Sequence, residues 1–238
     1  FAYRHAAAVS GISAGMMEEF RRKDVETRRR VYFPNWLRNS VAAPPAKGGF
    51  RRKFNLPPDH LLAVYSGNLG RKQGIDVLLE TATLLASPDP VGRVNRVTIV
   101  IVGAGAERDA LEQRVAALAL PGLRFLPLLS DADYALMLAD ADIGLITQAS
   151  GTGQFFFPSK LLSLLQAGLP VATVADADSE LARAVAEGEF GVNVAPGRAD
   201  ELAAALRRLS EDPGTLRRLA DRANWVDRFS PGIVLPQF

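Results

Sequence analysis

Short apolar segments alternate with longer amphipathic segments along most of this chain. Six of the short segments have the length and composition of buried strands: 61–65, 96–102, 123–126, 142–146, 171–174 and 191–194. The longer segments carry apolar residues at helical spacing and predict helices over 75–85, 106–118, 131–139, 179–187, 199–210 and 213–229. Strands that alternate with helices form a parallel sheet covered on both faces, so we expect an α/β fold with a Rossmann-like sheet.

The most informative unit covers residues 143–174. It consists of an apolar strand, a loop with the glycines of Gly151–Gly153, a helix that begins near Pro158, and a second strand. The glycines allow sharp turns that expose backbone N–H groups, and proline favours the first turn of a helix. Lys160 lies near that N-terminus, where the helix dipole is positive. Amides, dipole and ammonium together predict a phosphate or diphosphate site.

Two other glycine-bearing loops, 66–74 and 103–105, also follow predicted strands. The carboxyl ends of parallel strands meet at one edge of a sheet, which is where ligands of open α/β sheets bind. Arg71 and Lys72 lie in the first of these loops. We therefore expect both cations to approach Lys160 and to help neutralise a diphosphate without a metal.

Composition and motifs argue against several other kinds of site. The 238 residues contain no cysteine and two histidines, which excludes disulfides and thiolate–metal sites and disfavours a histidine-based metal centre or catalytic triad. Gly103 and Gly105 suggest a dinucleotide fingerprint, but Arg108 stands where its third glycine belongs, and the chain has no P-loop motif. Four aspartates are interpreted as helix caps and helix ends rather than as metal ligands: Asp131, Asp133, Asp140 and Asp142.

Charge and hydropathy are those of a soluble globular protein, with 48% hydrophobic residues and a net charge of +2. We expect a cytoplasmic protein without cofactor, metal or nucleic-acid partner. The basic segment 21–30 is compatible with peripheral contact at the inner face of a membrane. The chain begins at Phe1 rather than methionine, and we expect it to be a fragment.

The regular alternation starts near residue 50, and the preceding residues differ in character. Residues 1–38 carry a predicted helix over 14–23 and predicted strands over 6–12 and 31–34, too little sequence for a separate core. We interpret them as the end of an N-terminal domain. A proline- and glycine-rich linker over 39–49 precedes the main domain, 50–229, and a tail over 230–238 follows it.

The ordered set of motifs resembles the C-terminal domain of retaining glycosyltransferases of the GT-B fold, family 4, in particular the colanic-acid and exopolysaccharide type. The motifs are SGNLGRKQGID at 66–76, GAG at 103–105, FPSKL at 157–161 and AGLPV at 167–171. The resemblance covers about residues 55–229, and 7–38 resembles the end of the N-terminal domain of these enzymes.

The resemblance implies a donor site at the three loops, with Lys72 and Lys160 as stabilisers of the leaving diphosphate. Leu126 and Pro127 would lie near the base, and Gln154 would be a polar group on the sugar side. The implied donor-binding residues are Gly67, Asn68, Arg71, Lys72, Gly103, Leu126, Pro127, Gly151, Thr152, Gly153, Gln154, Ser159, Lys160 and Ser163.

The chain departs from the family pattern in two ways. Asn68 stands where an arginine often follows the first loop glycine, and Gln73 stands in place of the usual lysine, with Lys72 beside it. The family often has two glutamates eight positions apart, where this chain has Phe155 and Ser163. The expected reaction is transfer of a hexosyl group, with retention, from a UDP- or GDP-linked sugar to a polysaccharide or lipid-linked acceptor. Without the missing N-terminal domain, most of the acceptor site is absent, so we expect the fragment alone to be inactive. The alternatives are a nucleotide-sugar epimerase of the same fold and a degenerate, non-catalytic nucleotide-binding module.

Overall fold

The structure is a computed structural model that describes residues 2–37, 45–88, 92, 95–153 and 157–237. The strands are β1 (Val9–Gly11), β2 (Arg30–Tyr32), β3 (Leu61–Asn68), β4 (Val97–Ala104), β5 (Leu123–Leu126), β6 (Ile143–Thr147), β7 (Val171–Val174) and β8 (Gly191–Val194). The helices are α1 (Ala2–His5), α2 (Ala14–Arg22), α3 (Gly49–Lys53), α4 (Asp76–Ala86), α5 (Arg108–Leu118), α6 (Asp131–Asp140), α7 (Ser159–Gln166), α8 (Glu180–Gly188), α9 (Ala199–Glu211), α10 (Pro213–Asp221) and α11 (Pro231–Val234). Short 3-10 helices cover Thr27–Arg29, Arg71–Gln73, Ala223–Phe229 and Leu235–Gln237.

Strands β3 to β8 form one parallel sheet in the order β5-β4-β3-β6-β7-β8. Alternate residues of β3 enter two different cores: Ala63 packs with α4 and α9 on one face, and Val64 packs with α7 on the other. Burial on both faces explains why the strands are almost wholly apolar in sequence. The predicted α/β fold is confirmed, with six strands and the helices between them close to their predicted positions.

The predicted helix over 213–229 is wrong in its second half. Helix α10 ends at Asp221, and Ala223–Phe229 is a 3-10 helix. Ala223 and Val226 are both buried, three residues apart. This spacing places them on one side of a 3-10 helix, which has three residues per turn. Over so few residues, an apolar spacing of three does not distinguish the two helix types.

Residues 2–37 form a small unit beside the sheet. Strands β1 and β2 pair in parallel and α2 lies between them in the chain. The predicted strand over 6–12 is too long, because only Val9–Gly11 pairs and Ala2–His5 is helical. The unit is joined to the main domain by hydrogen bonds from Leu37 N to Phe229 O (2.8 Å) and from Gly15 N to the Glu180 carboxylate (2.6 Å).

The acidic run around α6 fastens α3 to the main domain. Asp140 is buried and accepts from the backbone N of Gly48 and of Arg51. The Arg51 guanidinium pairs with Asp142 at 2.7 Å. The N-cap of α6 is Ser130 rather than Asp131 or Asp133, which lie in its first turn, where the helix dipole favours acidic residues. Residues 39–44 of the predicted linker lie outside the described residues.

Candidate functional site

The strand order changes direction in the middle of the sheet. From β3 the chain moves outward through β4 to β5, then returns to the other side of β3 with β6 and moves outward again. The helices that follow β3 and β6, α4 and α7, therefore lie on opposite faces of the sheet. A crevice forms between them at the carboxyl ends of the two strands, which is the usual ligand position in such sheets. The crevice lies between the first and third of the glycine-bearing loops.

Close backbone contacts direct the loop after β3 toward β6. Gly67 and Gly103 are register partners, and a Cβ at Gly103 would overlap the carbonyl oxygen of Gly67. Beyond them Leu69 N donates to Ala104 O at 2.8 Å, and Glu107 N donates to Leu69 O at 3.0 Å. The first part of the loop is thus fastened over the end of β4. Its second part, which carries Lys72, crosses to the β6 side.

The loop after β6 is tied to both of its neighbours. Ala149 N donates to Lys72 O at 2.9 Å, and the Thr152 hydroxyl donates to Ala149 O at 2.6 Å. On the other side, the Asp176 carboxylate accepts from Gly151 N at 2.7 Å. The amide of Gly151, expected to meet a diphosphate, already has a partner within the protein.

A cavity of about 320 Å³ lies at this crevice, and we call it the switch-point cavity. It is lined by Lys72, Gln73, Thr147, Gln148, Gly151, Thr152, Pro158 and Lys160. Both charged side chains of this lining are lysines. The N-cap of α7 is Pro158, whose side chain makes no capping hydrogen bond, so the positive end of this helix also opens here. Two lysines and a helix N-terminus give the cavity a positive potential.

The Lys160 ammonium is the most unusual group of the site. Its Nζ is inaccessible to solvent and has no hydrogen-bond acceptor among the described residues. It lies 4.1 Å from the centroid of the Tyr65 ring. Burial lowers the pKa of Lys160 from 10.5 to about 8, because a charged group loses hydration there. A buried ammonium with unsatisfied N–H donors costs free energy, and an anion in the cavity would relieve that cost.

Other predicted residues lie at varying distances from this cavity. Arg71 points outward, with a side chain 94% exposed and 3.6 Å from the Glu107 carboxylate. Leu126 and Pro127 lie at the end of β5, two strands from β3 and so about 10 Å from it. Gln154 and Phe155 lie outside the described residues.

Four predicted residues lie beside the lining rather than in it. Asn68 ends β3 and its side chain contacts Gln73 (Nδ2–Oε1 3.4 Å), one residue beyond Lys72. Gly153 is buried against Ser179, the N-cap of α8. Ser159 and Ser163 are exposed on α7.

Sequence reasoning missed several residues at this site. Tyr65 is buried beneath Lys160, and Thr147 and Gln148 lie at the cavity wall. Each interrupts or ends an apolar strand with a polar group at its carboxyl end, which is the signal that could have found them. Asp176 follows β7 at the same edge and gave the same signal.

A larger cavity lies elsewhere, between the N-terminal unit and the main domain. This junction groove, about 460 Å³, is lined by Ala14, Tyr32, Pro34, Phe157, Glu180, Arg183, Ala184, Glu187, Trp225, Arg228, Phe229 and Val234. The ring centroids of Trp225 and Phe229 lie 5.3 Å apart, and Phe229 stacks on Phe157 with a centroid distance of 5.7 Å. Phe157 and Pro158 are adjacent in the chain, so this groove adjoins the switch-point cavity.

The described residues show neither a metal-binding cluster nor a membrane-spanning helix. They contain no group of three or more His, Asp or Glu side chains arranged to hold a metal ion. Within the same residues, no helix combines the length and the apolar character needed to cross a bilayer.

Comparisons with known proteins agree on one family. Residues 47–225 match the family described as glycosyl transferases group 1. WcaI of Escherichia coli K12, named for glycosyl transfer in colanic acid biosynthesis, is 31% identical over 176 residues, which cover 73% of this chain and 42% of WcaI. A D-inositol 3-phosphate glycosyltransferase of Streptomyces bingchenggensis is 28% identical over 78% of this chain and 41% of its own. The chain therefore spans about two fifths of these relatives.

The fold of the whole chain is also found in solved structures. The structure of Anabaena Alr3699/HepE in complex with UDP-glucose superposes with a TM-score of 0.78 at 20% identity. The superposition covers 99% of this chain and 63% of that one.

Proposed function

We propose, because the chain belongs to the group 1 glycosyl transferases and has their GT-B fold, that its switch-point cavity binds the diphosphate of a nucleotide-sugar donor. The observation that carries this proposal is the buried Lys160 ammonium, which has no acceptor among the described residues and whose side chain lines the same cavity as Lys72. The predicted resemblance to GT-B glycosyltransferases of the colanic-acid type is confirmed by the family match and by the similarity to WcaI.

In this proposal the cations and the helix share the diphosphate charge. Lys160 and the first-turn amides of α7 bind one phosphate, and Lys72 binds from the other loop. Ser159 contributes its amide, whereas the Thr152 hydroxyl in the cavity wall already donates to Ala149 O. The nucleoside extends over Gly67 and Gly103 toward Leu126 and Pro127, a span of about 10 Å that suits a ribose and a base.

Glycosyl transfer breaks the bond between the anomeric carbon and the oxygen of the β-phosphate. The electron pair leaves with the nucleoside diphosphate, while the acceptor hydroxyl oxygen forms a new bond to the anomeric carbon. In a retaining reaction it attacks from the face that the phosphate leaves, and the hydroxyl proton passes to the departing phosphate oxygen. Positive charge at Lys72 and Lys160 stabilises that oxygen as its negative charge grows.

The finer identity of the reaction is also a proposal. We propose transfer of a hexosyl group from a UDP- or GDP-linked donor, by the family 4 route, to a saccharide or lipid-linked acceptor of exopolysaccharide synthesis, in the cytoplasm at the inner face of a membrane. The name of WcaI supports the colanic-acid type. UDP-glucose in a structure of the same fold supports the donor class. The chain spans 42% of WcaI, so we propose that residues 1–238 bind donor but transfer slowly by themselves.

Calorimetric titration of residues 1–238 with UDP, GDP and their glucose conjugates tests donor binding. We expect at least one nucleoside diphosphate to bind with a Kd below about 1 mM, and inorganic phosphate to bind more weakly because it lacks the nucleoside contacts. If neither UDP nor GDP binds, the proposal is wrong. Radiolabelled donor with a lipid-linked acceptor then measures transfer, and fast turnover by residues 1–238 alone would contradict the proposed slow transfer.

A non-catalytic nucleotide-binding module is the second candidate. Ser163 stands where the family often has a glutamate, and Asp176 occupies the Gly151 amide. For this candidate, tight binding of UDP or GDP is expected without transfer to any acceptor by a protein with a complete N-terminal domain.

A further inference from the structure

The Lys160 ammonium rests in a notch formed by two residues at the end of β3. Its Nζ lies over the Tyr65 ring, 4.1 Å from the centroid. A Cβ added to Gly67 would lie 2.8 Å from the same Nζ and 3.8 Å from the Tyr65 hydroxyl, so the missing side chain of Gly67 leaves the space that the ammonium occupies. A fully buried ring below and bare backbone beside it hold the end of a flexible side chain in one place.

Tyr65 is fastened at its other end. Its hydroxyl donates to Asn68 O at 2.8 Å, in the segment where β3 passes into the loop that carries Lys72. The ring therefore keeps one orientation, and the same side chain contacts the ammonium on its face and the loop backbone through its hydroxyl. A cation over an aromatic face is stabilised by the ring quadrupole, more so when it is desolvated.

We infer that Tyr65 and Gly67 are positioning residues, which aim the Lys160 ammonium at the diphosphate of the donor. This inference rests on the proposed function and extends it from Lys160 to the residues that hold its ammonium in position. The aromatic face partly offsets the cost of burying the charge but accepts no N–H hydrogen bond. The N–H donors thus stay available to phosphate oxygens in the cavity.

A double-mutant cycle on UDP affinity distinguishes positioning through Lys160 from general structural support. We expect Tyr65→Leu to weaken UDP binding about five- to tenfold in the wild-type background, the magnitude of a desolvated cation–π contact. In the Lys160→Ala background we expect less than about a twofold effect, because there is no ammonium left to position. Equal effects in both backgrounds would overturn the inference.

Tyr65→Phe is the matched control, since it keeps the ring face and removes only the hydroxyl bond to Asn68 O. We expect its coupling to Lys160 to remain close to that of tyrosine. If Tyr65→Leu does not fold, Gly67→Ala replaces it in the cycle, because its methyl group would displace the Nζ. The backbone strain of alanine at a φ of +154° is present in both backgrounds and cancels.

An NMR measurement without nucleotide tests whether the Lys160 ammonium lies over the Tyr65 ring. The chain has five lysines, so the side-chain NMR signals of selectively labelled lysine can be assigned by substitution. The Lys160 CεH₂ signals should be shifted upfield by the Tyr65 ring and should lose that shift in Tyr65→Leu. Absence of the shift in the wild type would contradict the position of the Lys160 side chain over the ring and overturn the inference. If the ammonium lies over the ring but neither UDP nor GDP binds, the proposed function fails and the positioning role fails with it. If nucleotide binds and the effects in the double-mutant cycle are additive, only the positioning role fails.

Discussion

The switch-point cavity and the junction groove both contain charged side chains, but they satisfy those charges differently. In the junction groove, the Glu180 carboxylate accepts from Gly15 N at 2.6 Å and the Glu187 carboxylate pairs with Arg228. In the switch-point cavity, the Lys160 ammonium has no acceptor among the described residues. The groove is the larger of the two, at about 460 Å³ against 320 Å³.

An unsatisfied charge therefore identifies the candidate binding site better than cavity volume does, since the cavity that contains it is the smaller of the two. Charges paired within the protein hold two parts of the chain together, as Glu180 holds α2 against the main domain. A buried cation without an acceptor lowers stability, and such a cost is typical of functional sites. If the junction groove, rather than the switch-point cavity, controls nucleotide binding, this comparison fails.

Removal of the buried cation should have the largest effect. We expect Lys160→Ala to weaken UDP or GDP binding on the order of 10- to 100-fold, because charge-assisted hydrogen bonds contribute about 1.5–3 kcal/mol. The free energy of unfolding without ligand should stay the same or rise, since the unsatisfied ammonium is removed. The control is Lys53→Ala, whose ammonium pairs with Asp133 on α6. Equal affinity losses in the two variants would contradict the assignment of the cavity.

A rise in pH should weaken nucleotide binding by about tenfold. The pKa of Lys160 in the free protein is about 8, so its ammonium is present at pH 7 and lost as the pH rises through 8. The diphosphate of UDP keeps its charge over this range because phosphate titrates near pH 6. Kd should therefore rise between about pH 8 and 9.5 in the wild type. In Lys160→Ala this dependence should be absent, and calorimetry at several pH values measures both.

The unfolding free energy should change with pH in the opposite direction. The unfolded lysine stays protonated up to about pH 10.5 and the folded one only up to about 8, so the unfolded state binds more protons between these values. The Lys160 contribution to stability therefore rises from pH 8 to 10.5. Denaturant unfolding of wild type minus Lys160→Ala isolates it. A parallel loss of affinity and of this stability difference would indicate general unfolding instead.

Sequence patterns predicted the fold well, because it depends on local periodicity and strand order. The unit β6, glycine loop, α7 and β7 was expected near its observed bounds, and Lys72 and Lys160 were expected at one edge. The contact of Lys160 with Tyr65 was not, since it depends on side-chain orientation across β3. Asp176 was missed for a similar reason. It is 25 residues from Gly151 in sequence and reaches it only because β7 lies next to β6.

The exposed cation of the cavity should contribute less than the buried one. Lys72 is exposed, so solvent screens its charge, and such pairs contribute about 0.2–1 kcal/mol. We expect Lys72→Ala to weaken UDP binding about two- to fivefold. Arg71→Ala is the matched control, because its side chain is 94% exposed and pairs with Glu107. A larger loss for Arg71→Ala than for Lys72→Ala would show that the loop presents the arginine to the ligand.

The smallest effect on nucleotide binding should come from the junction groove. Glu180→Gln keeps the shape of the side chain but removes the charge that accepts from Gly15 N at the start of α2. We expect a stability loss of about 0.5–1 kcal/mol, because the dipole of α2 favours a negative charge there. The pKa of Tyr32, raised by burial and by the Glu180 charge, should fall toward its ordinary value. NMR titration of the four tyrosines measures that fall. UDP affinity should remain within about twofold of wild type, and a larger change would mean that the groove, despite its internally paired charges, takes part in binding.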